Sequence, residues 1–182
     1  MIVVAVDPGA RWTGVTAREG SALLGYRIVD RAEVEPGADR PGVATMEAVV
    51  AVVAELGDPI RCLIAGEDVV APTAWHKGKI QFTDVEPLLR AAEVLGYVEA
   101  AYPGLRRVRP DKHGRQPLVT YPRALVTQAE ARAADRMGGV SGWHRPAGQS
   151  AVIRHARSAW DIAGTAAAAA RIERSAMRSR GR

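Results

Sequence analysis

Five apolar residues in a row, Ile2 to Val6, run straight into Asp7-Pro8-Gly9. A run that is apolar at every position, rather than at alternate ones, is the pattern of a strand covered on both faces. The chain is thereby committed to a sheet with helices packed on either side. A carboxylate closing so apolar a strand is costly unless it is paired, hydrogen-bonded or on a metal. Asp-Pro-Gly is also a common turn, so Asp7 read alone is either a turn-former or a site residue.

The rest of the chain fills in that scheme. A second strand is expected at Thr13 to Arg18, and Gly20-Ser21 turns it into a third at Leu23 to Val29. After the loop PGADRPG, Met46, Val49, Val50, Val53 and Leu56 recur at helical spacing, with Gly57 as the C-cap. Pro59 restarts the chain into a fourth strand, Ile60 to Ala65. Asp84 caps a helix through Leu88, Leu89, Ala92 and Leu95 that stops at Gly96, and a short fifth strand follows at Val98 to Ala101. Pro122 to Asp135 reads as helical, with Thr120 or Thr127 as its cap. Gly138 to Gly148 reads as a loop, and Ser150 caps a long helix to Met177. The order predicts a mixed α/β fold with helices covering a central sheet. Residues 1–177 are expected to form one domain and 178–182 a basic tail.

No run reaches the roughly 18 apolar residues of a membrane span. Met1 leads directly into the first strand without the basic lead-in of a signal peptide. The one cysteine, Cys62, lies in the apolar setting IRCLIAG and is expected to be a buried, inert thiol. A cytoplasmic protein of a reduced compartment is the expectation. The net charge of +5 is unevenly spread. Arg106, Arg107, Arg109, Lys112 and Arg115 stand against Asp111 alone, and Arg171, Arg174, Arg178, Arg180 and Arg182 against Glu173 alone. Two basic segments on a mildly acidic body form either a polyanion footprint or a solvated loop and a frayed end.

Glu67, with Asp68 beside it, ends a second apolar run, LIAGED. Neighbouring strand ends in an α/β sheet face one crevice, so Asp7 and Glu67 can share a site. On the last helix His155, Ser158 and Asp161 fall at i, i+3 and i+6 and lie on one arc. Asp161 is the only carboxylate between Asp135 and Glu173, and the small residues Ala156, Ala159, Ala163 and Gly164 would let this helix approach the sheet closely. Three converging carboxylates without cysteine ligands favour a hard cation, Mg²⁺ or Mn²⁺, over zinc. Two such ions beside basic segments are the layout of a phosphodiesterase acting on nucleic acid.

The opening IVVAVDPGARWTGVTA, the strand end LIAGED and the helix RHARSAWDIAGTAAAAA, in this order, resemble the RuvC-type Holliday-junction resolvases of the RNase H-like superfamily. The resemblance implies an RNase H-like fold with a mixed five-stranded sheet flanked by helices. It also implies a homodimer and metal-dependent hydrolysis of four-way DNA junctions that leaves 5′-phosphate and 3′-hydroxyl ends. Asp7 and Glu67 fall on the family's first two catalytic acids. The family carries two ligands one turn apart on the last helix. One register places Ser158 and Asp161 there; the other places His155 and Ser158 and leaves Asp161 a turn further on. Asp161 is expected as the helix ligand, His155 as a second-metal or water-positioning group, and Asp68 and Ser158 as additional ligands.

Where such resolvases carry an aromatic wedge after the acid, this chain has Val69 and Val70, then Trp75-His76-Lys77-Gly78-Lys79. Trp75 can stack on a base between Lys77 and Lys79, or pack at a dimer interface; Trp143 with His144 and Arg145 offers the same choice. Arg11, Arg106, Arg107, Arg109, Lys112 and Arg115 complete the expected DNA contacts. Trp12 is expected near Asp7, and Trp160 in the core or an interface. DPGARWTG also resembles the phosphate loop of actin-like ATPases, but those need two such domains, and no nucleotide cofactor is expected. A non-catalytic nucleic-acid binder, or a nuclease for structured RNA, would also fit these residues.

Overall fold

The computed structural model describes residues 1–38, 42–70, 75–76, 79–80, 85–136 and 149–180. Its strands are β1 (Ile2–Asp7), β2 (Trp12–Glu19), β3 (Ala22–Asp30), β4 (Leu63–Glu67), β5 (Trp75–His76), β6 (Lys79–Ile80) and β7 (Arg106–Val108). Its helices are α1 (Arg31–Val34), α2 (Val43–Leu56), α3 (Glu86–Ala101), α4 (Gln128–Arg136) and α5 (Gln149–Arg180), with 3₁₀ turns at Leu118–Thr120 and Arg123–Leu125. Five strands form one mixed sheet in the order β3-β2-β1-β4-β7. β1 pairs antiparallel with β2 and parallel with β4, which pairs parallel with β7. β5 and β6 pair antiparallel as a separate two-stranded sheet.

The apolar run of β1 is buried on both faces, as its composition demands. Val4 and Val6, with Val15, Ala17 and Ile64, meet Val49 and Val53 of α2 and Val94, Leu95 and Val98 of α3. Val3 and Ala5, with Ala65 and Val108, meet Ile162, Ala163, Ala166 and Ala167 of α5. Because side chains alternate along a strand, Asp7 continues the Val3-Ala5 line and Glu67 the Leu63-Ala65 line. Both acids therefore belong to the face that α5 covers.

On β2 the same alternation aims Gly14, Thr16 and Arg18 at α5. The Thr16 hydroxyl donates to the Ala156 carbonyl at 2.9 Å, and Arg18 donates to the Trp160 carbonyl at 3.0 Å while its guanidinium lies 3.7 Å from the centre of the Trp160 ring. A third cluster, Tyr121, Leu125, Ala156 and Trp160, packs against Leu23, Tyr26 and Ile28 of β3, the register partners of Arg18, Thr16 and Gly14. Trp160 is thus a core residue.

Several expectations are corrected. α3 does not stop at Gly96 but runs to Ala101, so the strand expected at Val98 to Ala101 is helix. The buried stripe Ala91, Val94, Leu95 and Val98 carries the helix through a glycine whose added Cβ would meet nothing. The fifth strand is instead Arg106–Val108. β4 begins at Leu63, because Pro59, Ile60 and Arg61 form a turn held by Asp58. α4 starts only at Gln128, capped by Thr127, whose hydroxyl accepts the Glu130 N–H at 3.2 Å. Ser150 lies inside α5, and residues 178–180, expected in a tail, are its last turn. Cys62 is half-buried rather than buried, with its thiol pushed up by desolvation and by Asp58. Among the described residues no helix is long and apolar enough to cross a membrane.

Candidate active site

The register that joins the strands also places the acids. Val6 pairs with Gly66 across the parallel β1–β4 ladder, so Asp7 and Glu67 follow as neighbours on adjacent strands, a spacing of about 4.8 Å between backbones. Across the antiparallel ladder Asp7 stands opposite Gly14. That glycine leaves room for α5. A Cβ added to Gly14 would lie 2.7 Å from the Ala156 nitrogen and closer still to the His155 carbonyl. The helix so admitted brings the His155 ring to Asp7, with Nδ1 2.6 Å from Oδ2.

Asp7 is 6% exposed. Burial pushes its carboxyl above the ordinary range and the Glu67 charge adds to that push, while His155 and the Ser158 hydroxyl act against it. On the helix side, His155 and the Ser158 hydroxyl are thus the groups that act on Asp7. Trp12 frames the other side, its ring centre 6.2 Å from that of His155 and its indole N–H donating to Asp30 at 2.8 Å. Arg11, more than half exposed, lies over the Trp12 ring and pairs with Asp30.

Glu67 has a partner that motif reading passed over. His113 Nδ1 lies 2.6 Å from Glu67 Oε1, with the imidazole nearly buried. The Glu67 bond raises the affinity of His113 for its proton above the ordinary value, burial opposes this, and Asp161 and Asp111 add to the rise. A histidine between Asp111-Lys112 and Gly114 was available to sequence reading as one of only four in the chain. The surrounding basic residues drew attention to charge instead.

Asp161 takes partners of its own. Its Oδ2 accepts the Gly114 N–H at 2.8 Å and the Tyr121 hydroxyl at 2.7 Å, and burial pushes its carboxyl up against those donors. Asp161 is thus engaged by Gly114 and Tyr121, while Asp7 is engaged by His155 and Glu67 by His113. Among the described residues no three His, Cys, Asp or Glu groups converge closely enough to hold a metal together. The donor set still suits Mg²⁺ or Mn²⁺. Such an ion asks for one or two protein carboxylates and completes its shell with water and phosphate oxygens. Asp7 and Glu67 supply that pair from adjacent strand ends, with no Lys or Arg among their described hydrogen-bond partners.

The remaining site candidates are dispersed. Asp68 pairs with Arg107 at 2.9 Å, and Arg107 also binds Glu99 at 2.6 Å, so Asp68 points away from Asp7 into an ion-pair network. Arg106 pairs with Glu173 of α5. Arg109, Lys112 and Arg115 are exposed. Trp75 and Lys79 lie on β5 and β6, whereas Lys77 and the group Trp143, His144 and Arg145 lie outside the described residues.

No protein-family model matches the sequence, and neither does any curated protein. Among solved structures, the Thermus thermophilus RuvC in complex with Holliday junction substrate matches over 94% of this chain and 96% of its own, at 22% identity and a TM-score of 0.53. A second Thermus thermophilus RuvC structure matches over 87% and 92%, at 19% identity and a TM-score of 0.41. What the first of these likenesses establishes is architecture: the chain shares the fold of that RuvC structure, a mixed five-stranded sheet flanked by helices.

Proposed function

We propose that this protein is a metal-dependent endonuclease that hydrolyses phosphodiesters in branched DNA, acting on four-way junctions as a homodimer. The observation that carries the proposal is the placement of two acids, Asp7 and Glu67, at adjacent parallel strand ends on the face that α5 covers. Asp7 and Glu67 would hold one Mg²⁺ or Mn²⁺ ion, and Asp7 with His155 a second; ions bound there polarise a phosphate oxygen and acidify the attacking water. The chain's own part is positional. His155 and Ser158 orient Asp7, and the close seat of α5 on Gly14 and Thr16 keeps bulk water from its floor. The RuvC of similar fold is seen with a Holliday junction, which makes branched DNA the substrate to test first. Cutting opposed strands of a junction needs two sites, hence the homodimer.

Glu67→Gln should bind a synthetic four-way junction as the wild type does while cleavage falls below detection. Cleavage by that variant, or by the wild type in excess chelator, would overturn the assignment. Flap, linear duplex and hairpin RNA run in parallel under Mg²⁺ and Mn²⁺ fix the substrate class. Preferred cutting of the hairpin would move it to structured RNA, and binding without any cutting would leave a nucleic-acid binder.

Trp75, Lys77, Lys79, Arg109, Lys112 and Arg115 are the proposed DNA contacts. With about six phosphates neutralised, junction affinity should fall ~10³-fold between 50 and 200 mM salt. Replacing Arg109, Lys112 or Arg115 by glutamine should each lower the slope of log affinity on log salt by about 0.9. Arg107→Gln should change it less, because that guanidinium already lies between Glu99 and Asp68. Fluorescence anisotropy in the presence of chelator measures both, and a flat wild-type response would remove the basic loop from the footprint.

A further inference from the structure

We propose that His113 is a positioning residue for Glu67, and that Asp161 acts through it by clasping the loop that carries the imidazole. This rests on the nuclease proposed above and assigns two residues of its site. Glu67 is a long carboxylate at a strand end, free to take many rotamers unless something fixes it. His113 fixes one oxygen, Oε1, at 2.6 Å, from a ring that is 7% exposed.

His113 sits on a segment without regular structure, between β7 and the first 3₁₀ turn, and needs its own anchor. Three contacts supply one. Gly114 donates its N–H to Asp161 at 2.8 Å, the Tyr121 hydroxyl donates to the same Oδ2 at 2.7 Å, and Gln116 donates its N–H to the Tyr121 oxygen at 2.9 Å. The loop is thereby tied to α5 just beyond the imidazole. Gly114 is buried at φ +71°, where a Cβ would stand 2.9 Å from the Arg154 carbonyl and 3.2 Å from the Ser158 nitrogen. Both the left-handed backbone and the close approach call for glycine. An acid isolated in an alanine-rich helix thus has a task without touching a metal: it holds the loop that holds Glu67.

The test is Mn²⁺ binding to the full-length protein without DNA, by electron paramagnetic resonance and calorimetry, alongside single-turnover junction cleavage. Outer-shell partners of metal-binding carboxylates typically contribute about 10–100-fold in metal affinity. His113→Ala should weaken Mn²⁺ binding by about that factor. His113→Asn, which can keep an N–H donor near the Nδ1 position, should recover most of it, and His113→Gln should not. Tyr121→Phe should weaken Mn²⁺ binding in the wild type and add nothing in the His113→Ala background. Should the alanine variant fail to fold, the asparagine and glutamine variants decide the matter. Equal Mn²⁺ affinity across wild type, Asn and Gln variants, or a Tyr121→Phe loss that persists without His113, overturns the positioning role while leaving the nuclease intact. A wild type that neither binds Mn²⁺ nor cuts junctions overturns both.

Discussion

Glu130→Gln is expected to destabilise the protein by about 3–5 kcal/mol in urea-induced unfolding, the usual cost of leaving a buried charge without its partner. The charge is Arg157 on α5, whose side chain is 4% exposed. Its guanidinium reaches both Glu130 oxygens at 2.9 Å and the Leu125 carbonyl at 3.1 Å. Glu130 also accepts the Thr127 N–H at 2.9 Å while its own N–H returns to the Thr127 hydroxyl, the reciprocal cap of α4. One carboxylate therefore starts a helix and neutralises a cation under it. Replacing both Arg157 and Glu130 by apolar residues of similar volume should cost far less than either single change.

The same pair gives a pH signature. Burial alone would raise the Glu130 carboxyl, but Arg157 and Thr127 outweigh it and hold the group below its ordinary value. A depressed native value contributes stability above the unfolded value, near 4.3 for glutamate, that is lost as pH falls through the native one. The unfolding midpoint of the wild type should drop on acidification below about pH 4, and this component should be missing from Glu130→Gln. An identical acid slope in the two proteins would show that the pair is not the source.

Gly14→Ala is the second large effect. The added methyl would overlap the His155 carbonyl and stand 2.7 Å from the Ala156 nitrogen. These are backbone atoms of a helix pinned by Thr16 one pleat away, so no side chain can swing aside. Overpacking of this kind costs about 3 kcal/mol or more where nothing yields. At this chain length that is a fall of ~6–12 °C in Tm, measured by calorimetry. Any relief by lifting α5 draws His155 from Asp7, so cleavage should fall with stability. Gly20→Asn is the control. Gly20 sits at φ +59° with open space around it, a conformation asparagine tolerates. Equal melting temperatures for Gly14→Ala and the wild type would mean that α5 rides higher than its contacts indicate.

The parts of the fold written in apolar pattern were legible. Ile2 to Val6 read as an inner strand, the Gly20-Ser21 turn marked the β2–β3 hairpin, and LIAGED placed a second acid beside the first. The fifth strand was illegible for a physical reason. β7 is three residues with two arginines, paired on one side only, so little burial is written into it, whereas Val98 is buried as the last member of the apolar stripe of α3 and Ala100 and Ala101 are exposed on its final turn. Gly96 misled because a glycine ends a helix only where the chain must turn, and here the buried stripe continues past it. At the site, spacing put His155, Ser158 and Asp161 on one arc. It could not tell which of them meets Asp7, since that depends on where Gly14 lets the helix sit. His113 was hidden because its importance comes from a loop folded back by Tyr121 and Asp161, contacts distant in sequence.

The far end of α5 behaves as a cantilever. The helix is clamped to the sheet from Ala156 to Ala167 and tied again where Arg106 pairs with Glu173 and Arg174 reaches the Met1 sulfur, and the six exposed residues from Ser175 to Arg180 extend beyond as about 9 Å of rod. Collisions or attachments at that overhang bend the free span rather than the clamped one. The end that orients Asp7 is thereby mechanically insulated from whatever Arg178 and Arg180 encounter.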